Sequence, residues 1–171
     1  KVAEEKHKKW IEQGLYDPEL YDRFKMSSKN VRGKNAGLSI FPYDLAERII
    51  KFYSEPYEII LDPMCGHATR LTAAFYLKRN YIGYDVSKRF MEWNRKVLKE
   101  LWANSLIKPD IAIVLKEKSS EFIDEPTDSI DMIFTSPPYW DLEYYGDEPE
   151  QLGWNKTYDE FLNGLKRVLM Q

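Results

Sequence analysis

The chain has a single cysteine, Cys65, and that scarcity excludes a good deal. It rules out an intramolecular disulfide, and it leaves no second thiolate for a structural zinc site, so no metal is expected. A reducing, cytoplasmic setting fits. No apolar run approaches the ~20 residues of a spanning helix, so no membrane segment is expected. No secretory leader stands out either, although the chain opens on Lys1 rather than methionine, which leaves room for a preceding segment. The dinucleotide pattern Gly-x-Gly-x-x-Gly and the Gly-Lys-Ser/Thr of a phosphate loop are both missing. So is an overall basic charge: the net value is −3, against the basic surface of a typical nucleic-acid binder.

What is present describes a globular protein. The length, 171 residues, suits about one domain, and the balance of 43% apolar to 31% charged residues is not that of a disordered chain. Twelve tyrosines and five tryptophans suggest stacking surfaces as well as core. Charge is unevenly spread. Lys25, Lys29, Arg32 and Lys34 share a window with no acid, whereas from Asp141 to Glu160 seven acids face one lysine. A local basic loop can meet phosphates on an acidic chain, which makes Lys29, Arg32 and Lys34 candidates for nucleic-acid contact.

Residues 1–37 read as a helical and basic-loop extension, with a helix ending at Gly14 and then short helix and loop. Residues 38–171 read as one core. Pro42 opens a helix in which Leu45, Ile49, Ile50 and Tyr53 recur at helical spacing. Beyond it strands and helices alternate: strands over 57–61, 81–85, 110–116 and 129–135, helices over 68–79, 87–104 and 157–170. Thr157 followed by Glu160 spells a capping box. Phe90, Trp93, Val97, Leu98 and Leu101 line one side of the long helix and read as core. Such alternation predicts an α/β fold, a doubly wound and mainly parallel sheet.

Two strand ends carry chemistry. The first leads into "DPMCGHATR", where a glycine lets the backbone approach a ligand and a helix start offers free N–H groups. The second strand ends in Asp85, placed to accept hydrogen bonds from ribose hydroxyls, or to cap the helix that follows. Together they imply a nucleoside-containing ligand. The last strand runs into "TSPPYW", where two prolines end the ladder and leave a stiff turn tipped by Tyr139 and Trp140.

On these motifs the chain resembles the S-adenosylmethionine-dependent DNA methyltransferases that modify exocyclic amino groups, the adenine-N6 and cytosine-N4 class. Asp62, Pro63, Met64, Cys65, Gly66, His67, Ala68 and Thr69 stand where that family has its Asp-Pro-Phe-x-Gly-x-Gly-Thr motif, with Met64 and Ala68 as departures. Phe41 and Pro42 match the family's cofactor-flanking segment, and Ser136, Pro137, Pro138 and Tyr139 its catalytic motif. The resemblance covers residues 38–170 and implies a Rossmann-like fold. It assigns S-adenosylmethionine to Phe41, Pro42, Asp62, Pro63, Met64, Cys65, Gly66, Thr69 and Asp85. Glu117 or Ser119 would serve as the third cofactor motif.

It also implies direct methyl transfer. Ser136 and the Pro137 carbonyl take hydrogen bonds from the amine, while Tyr139 stacks on a base flipped from duplex DNA. Trp140 walls the pocket or fills core. Cys65 lies in the cofactor loop rather than beside the turn, so covalent C5 methylation of cytosine is not expected. His67 fits a structural or cofactor-edge role. Ser136 leans toward cytosine N4 over adenine N6. An RNA or protein methyltransferase, or a truncated binding module without turnover, are the alternatives. The family's sheet normally has more strands than the four legible here, and its target-recognition region is expected after this core. A further segment or a second chain is therefore expected to cover the edge of strand 129–135.

Overall fold

The computed structural model describes residues 40–171 and, as backbone only, two short strands before them. These are β1 (Ser27–Lys29) and β2 (Asn35–Gly37), an antiparallel pair in the register Ser27 to Gly37. The sequence reads this stretch as helix and loop. Three-residue strands of Ser, Lys, Asn and Gly carry no apolar alternation, so nothing in the pattern announces them. The helix proposed before Gly14, Arg32 and Lys34 lie outside the described residues, and Lys29 is described only in its backbone.

Helix α1 (Tyr43–Tyr53) starts just after Pro42 and buries Ala46 and Ile50. Strand β3 (Ile59–Asp62) follows, then α2 (Thr69–Tyr76), β4 (Asn80–Asp85), α3 (Lys88–Asn104), β5 (Ile113–Glu117), β6 (Met132–Ile133) and α4 (Tyr158–Leu169). The last four strands form one parallel sheet in the order β5-β4-β3-β6. From β3 the chain steps outward through β4 to β5, then returns to the other side of β3. That reversal opens a crevice at the carboxyl ends of β3 and β6, where doubly wound sheets bind ligands.

Parallel strands covered on both faces read as near-continuous apolar runs, and Ile60, Leu61, Tyr81 and Tyr84 are buried accordingly. Helices α1, α2 and α3 pack on one another as a layer. On α3, Phe90, Met91, Val97 and Leu101 are buried, each contributing about 1.5–3 kcal/mol of transfer free energy. Helix α4 packs instead on two single 3-10 turns, Ser120–Phe122 and Leu152–Trp154. Its capping box is formed, with the Glu160 amide donating to Thr157 Oγ1 and the Thr157 amide to Glu160.

Strand β6 is shorter than its apolar run, yet its bonding to β3 continues on either side. The Asp131 amide donates to the Ile59 carbonyl and the Phe134 amide to the Leu61 carbonyl. Among the described residues it forms an edge of the sheet, with Ile133 64% exposed. Among the described residues no helix is long and apolar enough to cross a membrane.

Candidate functional site

A cleft of about 320 Å³ lies at the carboxyl ends of β3, β4 and β6, a size in the range of small-molecule sites. Phe41, Pro42, Pro63, Met64, Gly66, Asp85, Ser136, Pro137, Pro138 and Tyr139 all line it. The three sequence segments that carry the motifs therefore meet in one place.

The loop after β3 is held from below. Gly66 has φ of +47°, which favours glycine, and its amide donates to Asp85 Oδ2 at 2.8 Å. A Cβ there would meet nothing within 4 Å, so the glycine borders open space on its cleft side. The fully buried Asn94 of α3 donates to the Gly66 carbonyl at 2.6 Å. Cys65 is fully buried, with its amide bonded to the Tyr84 carbonyl. Burial, reinforced by Asp85 and Asp62, pushes its thiol well above the usual range, so it is no nucleophile.

Asp85 takes the capping position that its place before α3 suggests, and it also holds the loop after β3. Its Oδ1 accepts the Ser87 amide at 2.8 Å, a turn that leads into α3, and its Oδ2 accepts Gly66. A carboxylate has about four lone-pair sites, so acceptor capacity remains for a diol. Burial raises its pKa to about 6, although the Ser87 and Gly66 amides work the other way. Affinity for a ribose-bearing ligand should therefore weaken as pH falls through about 6, when the acceptor takes up a proton. Titration calorimetry of S-adenosylhomocysteine between pH 5 and 8 reads this directly. Asp85→Asn should flatten the profile, and an equally steep profile in that variant would refute the role.

Stability is a poorer probe of the same group. A raised carboxylate penalises the fold above about 6 and is relieved on acidification. His67 is buried against Phe90, and burial followed by Arg89 and Arg70 lowers its pKa to about 4. The stability it contributes is present above its unfolded value and is lost as pH falls, in the opposite sense over the same range.

Asp62 takes a different place from the one its motif suggests. It is wholly buried, and it accepts from Arg70 Nε at 2.6 Å and from the Tyr81 hydroxyl at 2.7 Å, beneath the cleft rather than in its wall. Thr69, at the start of α2, is likewise absent from the wall. Trp140 is half-buried, its Nε1 donating to the Asn155 carbonyl at 2.9 Å and its ring against Tyr158, so it anchors the turn to the start of α4. Of the two candidates for the third cofactor motif, Ser119 lines the cleft together with Ser120, while Glu117 pairs with Arg95 at 2.8 Å.

Two important residues escape the sequence reading. Arg70 is 3% exposed, and besides Asp62 it reaches the carbonyls of Met64 at 2.9 Å and Cys65 at 3.2 Å. Its guanidinium lies 5.3 Å from the Phe41 ring centroid and 5.9 Å from that of Phe134, and the two rings meet edge to face. One side chain thus gathers the flanking segment, the cofactor loop and the strand leading to the turn. A lone guanidinium in the apolar stretch "ATRLTAAF" is the available signal. The other is Thr135, whose Oγ1 accepts the Met64 amide at 3.2 Å and joins the loop directly to the turn.

The family model described as DNA methylase, for the N6 and N4 type, matches residues 1–99. The chain belongs to this DNA methylase family. The match includes the loop after β3 and Asp85; the Ser136–Tyr139 turn lies beyond it. Among relatives, the Type II methyltransferase M.MthZI of Methanothermobacter thermautotrophicus is 34% identical over 103 residues, 59% of this chain and 27% of that protein. The Type II methyltransferase M1.MboII of Moraxella bovis is 35% identical over 79 residues, 44% of this chain and 30% of its own. The matched stretches thus span under a third of either relative. Among solved structures, the YcgJ protein of Bacillus subtilis aligns with a TM-score of 0.47 at 16% identity, over 74% of this chain and 46% of that one.

Methylases of this family draw their methyl group from S-adenosylmethionine, and the cleft fits it. Asp85 and the Gly66 backbone suit a ribose. Met64, Val86 and Phe90 give apolar surface for a purine, and Ser119 and Ser120 give hydroxyls.

Proposed function

We propose that this chain supplies the cofactor-binding and catalytic core of a DNA methyltransferase acting on an exocyclic amino group, cytosine N4 in preference to adenine N6. The observation that carries the reading is the meeting of Ser136–Tyr139 with Gly66 and Asp85 in one cleft, joined through Thr135 and Met64. The Type II names of the relatives support DNA as the substrate.

When bound, S-adenosylmethionine supplies an electrophilic methyl group. The rest falls to the protein. The lone pair of a base amine is delocalised into its ring, so the amine is a weak nucleophile. Ser136 Oγ and the Pro137 carbonyl accept its two hydrogens and favour a pyramidal nitrogen. Ser136 and Pro137 are exposed at the mouth of the cleft, where a base can reach them. Consecutive prolines hold that carbonyl in one direction. Tyr139 is 50% exposed, which leaves a ring face for a base flipped out of the duplex. Positioning and fixed dipoles therefore provide most of the catalysis.

The test is a transfer assay on the full-length protein with labelled cofactor and duplex DNA, followed by nucleoside digestion. Label in N4-methylcytosine is expected. Label in N6-methyladenine would overturn the base preference, and transfer only to RNA, or none, would overturn the reading.

A further inference from the structure

The catalytic turn is unusually poor in hydrogen-bond donors. Pro137 and Pro138 have no N–H, so the first backbone donor after Ser136 is the Tyr139 amide. It donates to Oη of Tyr145 at 3.0 Å. Tyr145 is itself well fixed. Its carbonyl accepts from Ser87 Oγ at 3.2 Å, beside Asp85, and its ring packs 6.5 Å from that of Phe90. Its hydroxyl also lies beside Glu143, which is buried and lines the cleft. Gly153 closes the back of this arrangement. A Cβ there would stand 3.2 Å from the Tyr139 carbonyl and 3.6 Å from the Tyr145 ring.

We propose that Tyr145, backed by Glu143, is a positioning residue that sets the aim of the Ser136–Tyr139 turn relative to the cofactor side of the cleft. The inference rests on the reading above, in which that turn accepts the target amine. A diproline turn is stiff inside but can pivot as a body about its ends. One end is pinned where Thr135 meets Met64, the other where Trp140 meets the Asn155 carbonyl. The Tyr145 hydroxyl is a third point off that line, and three points fix an orientation. A carboxylate beside the Tyr145 hydroxyl favours turning its proton away from Tyr139, which leaves the oxygen lone pair for the Tyr139 amide. Because Tyr145 is also tied to Ser87, whose amide donates to Asp85 Oδ1, the turn is aimed with reference to the end of β4. In-line transfer is sensitive to errors of about 1 Å, so this anchoring bears on rate rather than on cofactor affinity.

The experiment is steady-state methyl transfer by the full-length protein, with S-adenosylhomocysteine affinity and thermal midpoint measured alongside. Tyr145→Phe removes only the hydroxyl. Its kcat should fall about tenfold, the scale of one hydrogen-bond partner lost, with affinity and KM for DNA unchanged and the midpoint lowered by no more than about 5 °C. An unchanged kcat overturns the proposal. So does a raised KM for DNA with intact kcat, which would make Tyr145 a substrate contact instead. Should Tyr145→Phe fold poorly, Gly153→Ala presses on the same turn from behind. A lowered kcat at unchanged affinity supports the proposal there, and an unchanged kcat overturns it. Ser136→Ala separates the two layers. If it transfers methyl at the native rate, the turn is not catalytic and both readings fall. If it is inactive while Tyr145→Phe and Gly153→Ala are native, only this inference falls.

Discussion

Ser136→Ala should slow methyl transfer about 100-fold or more while leaving S-adenosylhomocysteine affinity where it was. The size follows from the loss of one fixed acceptor where charge develops, which costs roughly 2.7–4 kcal/mol of barrier in comparable sites. The selectivity follows from position. Ser136 is exposed at the end of β6, whereas the cofactor loop is held by Asn94, Asp85 and Arg70. Tyr139→Ala should also cut transfer, with a raised KM for DNA, because stacking of a base on an aromatic ring is worth about 1–3 kcal/mol. Single-turnover kinetics with a cofactor titration distinguishes the two. Loss of cofactor affinity in both variants would show that the turn supports the loop rather than the base.

Replacing Arg70 by alanine should cost the fold about 3–5 kcal/mol. The Arg70 and Asp62 side chains are 4% and 0% exposed, so the substitution strands a carboxylate where water cannot reach it. Burial alone would lower the pKa of Arg70, but Asp62 beside it more than offsets this and the value is raised, which keeps the guanidinium charged. The expected fall in thermal midpoint is roughly 10 °C for a chain of this size. Arg70→Lys keeps the charge but not the fork that spans Asp62 and the Met64 and Cys65 carbonyls. It should recover part of the midpoint and still bind cofactor more weakly. A loss below about 1 kcal/mol in the alanine variant would mean that Asp62 is satisfied by Tyr81 and solvent.

The layered α/β plan was legible because its signals are local. Buried parallel strands such as 57–61 and 81–85 read as apolar runs, α3 carries an unbroken helical stripe, and Thr157 with Glu160 caps α4 as the spacing implies. The motif residues of the cleft were legible for another reason: apart from Phe41 and Pro42, which lead into α1, they lie at or just past the ends of strands that the sheet order brings together. What stayed hidden depends on tertiary docking. Asp62 heads the loop motif, yet its partner Arg70 turns it inward, and only a folded chain brings the two side chains face to face. Tyr145 and Gly153 belong to a tract that stands out in sequence only for its acids; their contact with Tyr139 arises where the segment folds back over the cleft. Trp140 is ambiguous in sequence because an indole beside a turn serves equally as wall or anchor. The β1–β2 pair left no trace because strands that short and polar lack alternation.

The bond between the Met64 amide and Thr135 Oγ1 has one more consequence. It sits just past the last paired residues of β3 and β6, where Leu61 faces Ile133 and the Phe134 amide meets the Leu61 carbonyl. If the proposed roles hold, methyl donor and methyl acceptor are both located from the shared end of two adjacent strands. Twisting or breathing of the wider sheet carries both along together, so positional errors do not accumulate between them. On that reading the joint sets their separation, while Trp140 and Tyr145 set the orientation of the turn.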